Sequence, residues 1–157
     1  MSTKNHSAKD VADVILFKCN ERWIKDVSNK KLQKLLYYTQ AWSLVLNKES
    51  IFDDKIEAWV HWPAIKSIYM EYKPYGYDPI TLTDLDKDKL AKFSRRGLSL
   101  IDEVLDAYWK YNASYLEALS HSEKPWIKAR EWLEPDIWTN TEITLESMSK
   151  YYSKLTA

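Results

Sequence analysis

Apolar residues recur three and four positions apart along most of this chain, the period of an α-helix that buries one face. The first stripe comprises Val11, Val14, Ile15, Cys19 and Trp23. It follows Ser7, with Asp10 three residues on, a weak capping-box pattern. The second comprises Leu32, Leu35, Leu36, Thr39, Trp42, Ser43 and Leu46, behind Ser28 or Asn29, either a good N-cap. Lys30, Lys31 and Lys34 fall in its first two turns, where positive charge opposes the helix dipole. They read as a solvated face, or as a face turned towards an acidic partner.

Further on, Lys55–Trp62 alternates instead. Ile56, Ala58, Val60 and Trp62 fall on one side, and Glu57, Trp59 and His61 on the other, which predicts a short strand or extended run. Pro63 suits the first turn of a helix carrying Ile65, Ile68, Tyr69 and Tyr72 and ending before Pro74. KPYGYDP is a turn in which Gly76 is free to take positive φ. Thr83 is placed to cap a polar helix ending near Phe93. A longer helix is expected from Arg95 to Tyr111, with Leu98, Ile101, Val104, Leu105 and Tyr108 at core spacing. Ser114 and Glu117 predict the start of a short helix holding Leu116 and Leu119. Pro125 opens another with Trp126, Ala129 and Arg130. Residues 137–139 read as extended, and a last helix from Thr144 bears Leu145, Met148, Tyr152 and Leu155. The fold expected is all-α or mostly α. It is a single compact domain over residues 1–157, with seven or eight helices and at most a small β element. At 157 residues the core needs no metal or disulfide to hold it.

Glycine occurs only at Gly76 and Gly97, so no dinucleotide fingerprint, P-loop, glycine-rich kinase loop or GxSxG elbow can exist. One cysteine allows neither an intramolecular disulfide nor CxxC chemistry, which points to a reducing cytoplasm. Cys19 lies on a core stripe and reads as a small buried residue. Lys+Arg and Asp+Glu both number 23. That balance argues against partners recognised by their phosphates, whether nucleic acid or anionic membrane. No apolar run approaches the roughly 18–20 residues that span a bilayer. The first residues lack a long apolar stretch, being interrupted by Asp10 and Asp13, and are not expected to be a signal peptide.

The three histidines, His6, His61 and His121, show no HExxH or helical pairing. The carboxylates scatter along helix faces, so no acid–base pair stands out. No catalytic residue, metal or cofactor is therefore expected. A small hydrolase or nuclease using His61 or His121 is the alternative of another class. LSHSEKPW, residues 119–126, forms a compact corner. There His121 caps one helix above Trp126, or the two line a niche for a partner. Eight Trp and eleven Tyr supply large rigid rings, which fill cores and anchor interfaces.

Three stretches, KLQKLLYYTQAW (31–42), FDDKIEAWVHWPAIKSIYMEYKPYG (52–76) and LIDEVLDAYWKYNASYLEALSHSEKPWIKAR (100–130), resemble the Panacea domain. This antitoxin domain is also described as SocA-like or GepA-like, and the resemblance spans about residues 10–153. It implies an antitoxin encoded beside a toxin gene in bacteria, prophages or phages. Such a protein is not an enzyme and neutralises its cognate protein toxin by direct contact. A regulatory or proteolytic adaptor is the second reading. The family usually has Gly-Pro-Val where this chain has Trp62-Pro63-Ala64, so Trp62 fills space that other members leave open. The partner-binding residues expected are Trp62, Pro63, His121, Trp126, Lys34 and Tyr37, the last two on the outer flank of the LQKLLY helix.

Overall fold

Helix α2 (Asn29–Trp42) is the axis on which the other elements are laid. In the computed structural model, which describes residues 6–81 and 87–156, α2 is preceded by α1 (Ala8–Glu21) and runs on into a π-helical turn, Ser43–Asn47. Then follow β1 (Ile56–Ala58), β2 (Pro63–Ala64), α3 (Lys66–Tyr72) with a 3-10 turn at Lys73–Tyr75, and α4 (Lys87–Ala91). The last part of the chain holds α5 (Arg95–Tyr108), α6 (Ala113–Ser122), α7 (Lys124–Ala129), β3 (Glu142–Ile143) and α8 (Leu145–Lys154). Eight α-helices and one small sheet among the described residues make the fold mostly α. The sheet is antiparallel, in the order β2-β1-β3.

Helices α1, α3, α5, α6 and α8 all pack on α2, and every residue from Lys31 to Ala41 is buried. Leu32, Leu35 and Leu36 are fully enclosed, as their spacing predicts, whereas Trp42 is half-buried. A helix covered all round must satisfy its polar side chains inside the protein. The two glutamines of α2 do this by fastening loops. Gln40 accepts from the Ile51 N–H at 2.8 Å and donates to the Phe52 carbonyl at 2.9 Å. Gln33 accepts from the Ile65 N–H at 2.8 Å. Lys31 reaches Asp26 and the Trp109 carbonyl, both at 2.8 Å.

Helix starts follow local chemistry. The side chains of Ser7, Ser28, Ser94 and Thr144 each accept an N–H three residues on. At α6 the cap is Asn112 rather than Ser114, and α5 accordingly stops at Tyr108, not Tyr111. Helix α1 ends at Glu21. Trp23 therefore leaves the stripe, takes φ 61 and is 79 % exposed. Leu46 is exposed on the π-helical turn, where the wider winding displaces it from the α2 stripe.

Pro63 does not open a helix. It lies in β2 opposite Ala58, and α3 begins only at Lys66. Proline is tolerated there because β2 is an edge strand, and Gln33 holds Ile65 extended just before the helix. The strand or extended run expected over Lys55–Trp62 is cut to β1, because His61 turns the chain with φ 75. Residues 137–139 lie in irregular chain, and the strand of this region, β3, comes later. Gly76 has the expected positive φ, 60°. The Thr83 cap lies outside the described residues.

Candidate partner-binding site

Residues 59–62 connect β1 to β2 as a four-residue hairpin loop. The loop is short, so its side chains are placed by what lies beneath. The half-buried Trp62 lays its ring over two lysines of α2, with Lys34 Nζ 4.2 Å and Lys30 Nζ 5.4 Å from the ring centroid. An ammonium over an indole face is attracted by the ring quadrupole. Lys30 is also paired with Glu117 of α6 at 2.5 Å. Lys34 Nζ and Trp62 Nε1 are both buried with no hydrogen-bond partner among the described residues. Burial holds the Lys34 ammonium well below its usual pKa. Glu117 opposes that shift and Lys30 adds to it. Beside Trp62 opens a cleft of about 330 Å³, lined by Asn29, Lys30, Tyr69, Lys73, Gly76 and Tyr77.

The α6–α7 corner pins the loop from the other side. Trp126 Nε1 donates to the Trp59 carbonyl at 2.9 Å, and Arg130 Nη1 donates to the Ala58 carbonyl at 2.8 Å. Spaced four apart, Trp126 and Arg130 share one side of α7, with the guanidinium 5.3 Å from the indole centroid. The exposed His121 ring packs 4.2 Å from Trp126 and 6.5 Å from His61. No cluster of three or more His, Cys, Asp or Glu able to hold a metal occurs among the described residues. Burial pushes the Cys19 thiol up to about 11, which leaves it protonated and a poor nucleophile at neutral pH.

Two expected site residues are not on an outer flank. Lys34 and Tyr37 are fully buried, because α6 and α8 pack on α2. Tyr37 belongs to an internal aromatic cluster, edge-on to Tyr38 and Tyr152. At its centre is buried Glu123. One carboxylate oxygen accepts from Tyr38 at 2.6 Å and from Tyr152 at 2.9 Å. Burial raises the Glu123 pKa, and those two hydrogen bonds only partly offset it. Trp126 and Pro63 are buried as well. Of the six residues expected to meet a partner, Trp62 and His121 reach the surface. Lys34, Pro63 and Trp126 lie beneath or beside the loop they carry, and Tyr37 lies in the core.

Three features escaped the sequence reading: Trp59, whose indole donates to Glu57 Oε1 at 2.7 Å; Arg130, which ties α7 to β1; and the exposed segment after α7. The four-residue spacing of Trp126 and Arg130 is a signal for the second. Exposure of the third depends on tertiary structure alone. A family model described as "Antitoxin SocA-like, Panacea domain" matches residues 32–127, more than half of the chain. That span runs from α2 into α7 and includes the hairpin loop. No curated protein and no solved structure matches.

Proposed function

Because the chain belongs to the SocA-like, Panacea-domain antitoxin family, we propose that it neutralises a toxin encoded by an adjacent gene through direct protein–protein contact. The observation that carries this reading is the family match itself, which spans the hairpin loop and the elements that hold it. The site favours contact over chemistry. It offers a half-buried indole on a loop fixed by Trp126 and Arg130, with the exposed His121 imidazole of α6 and a cleft on either side of that loop. Large rings held in place lose little entropy on binding and dominate interface energetics. The antitoxin acts by occupying the toxin, with no reaction of its own, in the bacterial cytoplasm. No helix among the described residues is long and apolar enough to cross a membrane.

The functional unit extends beyond the matched span. Helices α1 and α8 flank that span in sequence, yet both pack on α2, and Tyr152 of α8 completes the Glu123 cluster. The partner contacts proposed at this site are Trp62 and His121, supported by Lys34, Pro63 and Trp126. The test is co-expression with the adjacent gene, scored for growth and for co-purification. Rescue with a stable complex is expected. A neighbour that is harmless alone would remove the antitoxin reading. Rescue without a complex, dependent on a host protease, would replace it with the adaptor reading.

A further inference from the structure

After α7 the chain runs through Glu131-Trp132-Leu133-Glu134-Pro135-Asp136-Ile137-Trp138, and every one of these residues is exposed. Trp132 is 91 % and Trp138 64 % exposed, with Leu133 and Ile137 exposed beside them. Four large exposed apolar side chains fall within eight consecutive residues, a concentration of apolar surface along one segment. Such concentrations on a folded chain mark interaction sites.

The segment is held in shape. Arg130 is buried, and Nη2 donates to the carbonyls of Ile137 at 2.5 Å, Glu134 at 3.3 Å and Pro135 at 3.4 Å. Its other arm donates to Ala58, so the same guanidinium anchors the segment to β1. Leu133 and Ile137 close turns onto the Arg130 and Glu134 carbonyls at 2.9 and 3.1 Å. Burying a guanidinium against carbonyl dipoles, with no carboxylate in reach among the described residues, is costly. Here it fixes backbone whose side chains all point to solvent. A fixed backbone lowers the ordering cost of binding through those side chains.

The charge of the segment names its complement. Glu131, Glu134 and Asp136 stand among the apolar side chains, and none forms an ion pair among the described residues. No basic residue lies between positions 131 and 138. Some acids elsewhere are paired, among them Asp102 and Asp106 with Lys18 and Arg22, and Glu117 with Lys30. A second copy of this chain would set three negative charges against three in a two-fold contact. A nucleic acid would meet the same repulsion.

We propose that residues 131–138 dock the toxin, through a face that is basic at its rim and apolar where it receives Trp132 and Trp138. This rests on the antitoxin reading and adds to the Trp62 site a second contact surface, which Arg130 ties to β1 beside the hairpin loop. The experiment compares three variants with the wild type: Trp132→Ala/Trp138→Ala, Glu131→Lys/Glu134→Lys/Asp136→Lys, and the control Trp23→Ala at an exposed indole outside the segment. Each is checked for fold by circular dichroism and for self-association by light scattering. Each is then titrated with the purified product of the adjacent toxin gene at low and high salt. The indole pair should lose at least about thirtyfold in affinity. The charge reversal should lose at least about tenfold at low salt and lose the salt dependence of the wild type. Trp23→Ala should bind unchanged. A toxin bound equally by folded loop variants overturns this proposal and leaves the antitoxin reading standing. So does a loss confined to self-association. A harmless neighbour overturns both.

Discussion

The Lys34 ammonium lies 4.2 Å from the centroid of the Trp62 ring, and neither its nitrogen nor the indole N–H has a hydrogen-bond partner among the described residues. The indole face thus covers a buried cation that lacks an acceptor. Removing such a group from water costs about 1–3 kcal/mol, more when charged, and the ring attraction offsets only part of that.

This arrangement has a pH signature. The folded chain holds the Lys34 proton less tightly than the unfolded chain, whose lysine keeps the ordinary value of 10.5. Stability is therefore lowest below the depressed folded-state pKa. It rises with pH from there to about 10.5. Lys34→Met keeps the stem and removes the charge. It should abolish this rise and stabilise the protein at pH 7 by about 1–3 kcal/mol. Urea unfolding at pH 7 and pH 10 measures both effects. A less stable variant at pH 7 would mean that the ammonium contributes favourably.

Trp62→Ala should leave a folded protein and weaken toxin neutralisation. Truncating a true anchor costs at least about 2 kcal/mol of binding, roughly thirtyfold in affinity. The measurement is the dissociation constant of the complex, with circular dichroism as the folding control. Full neutralisation by the folded variant would take Trp62 out of the interface.

Glu123 works in the opposite direction to Lys34. Its raised pKa means that the folded chain binds the proton more readily than the unfolded one. Its contribution is then most favourable below the usual 4.5 and declines as pH rises through the raised value. Glu123→Gln keeps an acceptor for Tyr38 and Tyr152 and should flatten this decline. Glu123→Ala orphans the buried Tyr38 hydroxyl, while the Tyr152 hydroxyl keeps Tyr37 as acceptor at 3.0 Å, and should cost about 1–3 kcal/mol. Unfolding midpoints at pH 4.5 and 7.5 separate the two variants. Equal losses from both would contradict the acceptor role.

Leu36→Ala should cost about 2–5 kcal/mol, because Leu36 is fully enclosed at the centre of α2 and its removal leaves a cavity. Denaturant unfolding gives the value directly. A loss under about 1 kcal/mol would mean that the neighbouring helices close the space.

The helices were legible because their causes are local. The stripe Val11, Val14, Ile15 and Cys19, the leucines of α2, and the caps at Ser7, Ser28 and Thr144 are set by residues within a turn or two of each other. The family resemblance was legible for a related reason: its motifs are runs of adjacent residues. Much of the site was not legible in this way. Lys31, Lys34 and Tyr37 sit where a lone amphipathic helix would face water, and segments distant in sequence, α5, α6, α8 and the hairpin loop with Trp62, enclose them. Pro63 carries a helix-start signal, yet pairing with Ala58 and the grip of Gln33 on Ile65 keep it in a strand. Trp126 and Trp132 look alike in sequence, six residues apart. One is buried under the hairpin loop and the other stands almost wholly in solvent. The sequence by itself determined the helical period, the capped helix starts at Ser7, Ser28 and Thr144, and the family. Tertiary structure alone decided which rings and charges are buried, because burial is set by the neighbours that distant segments bring and not by a residue's own spacing.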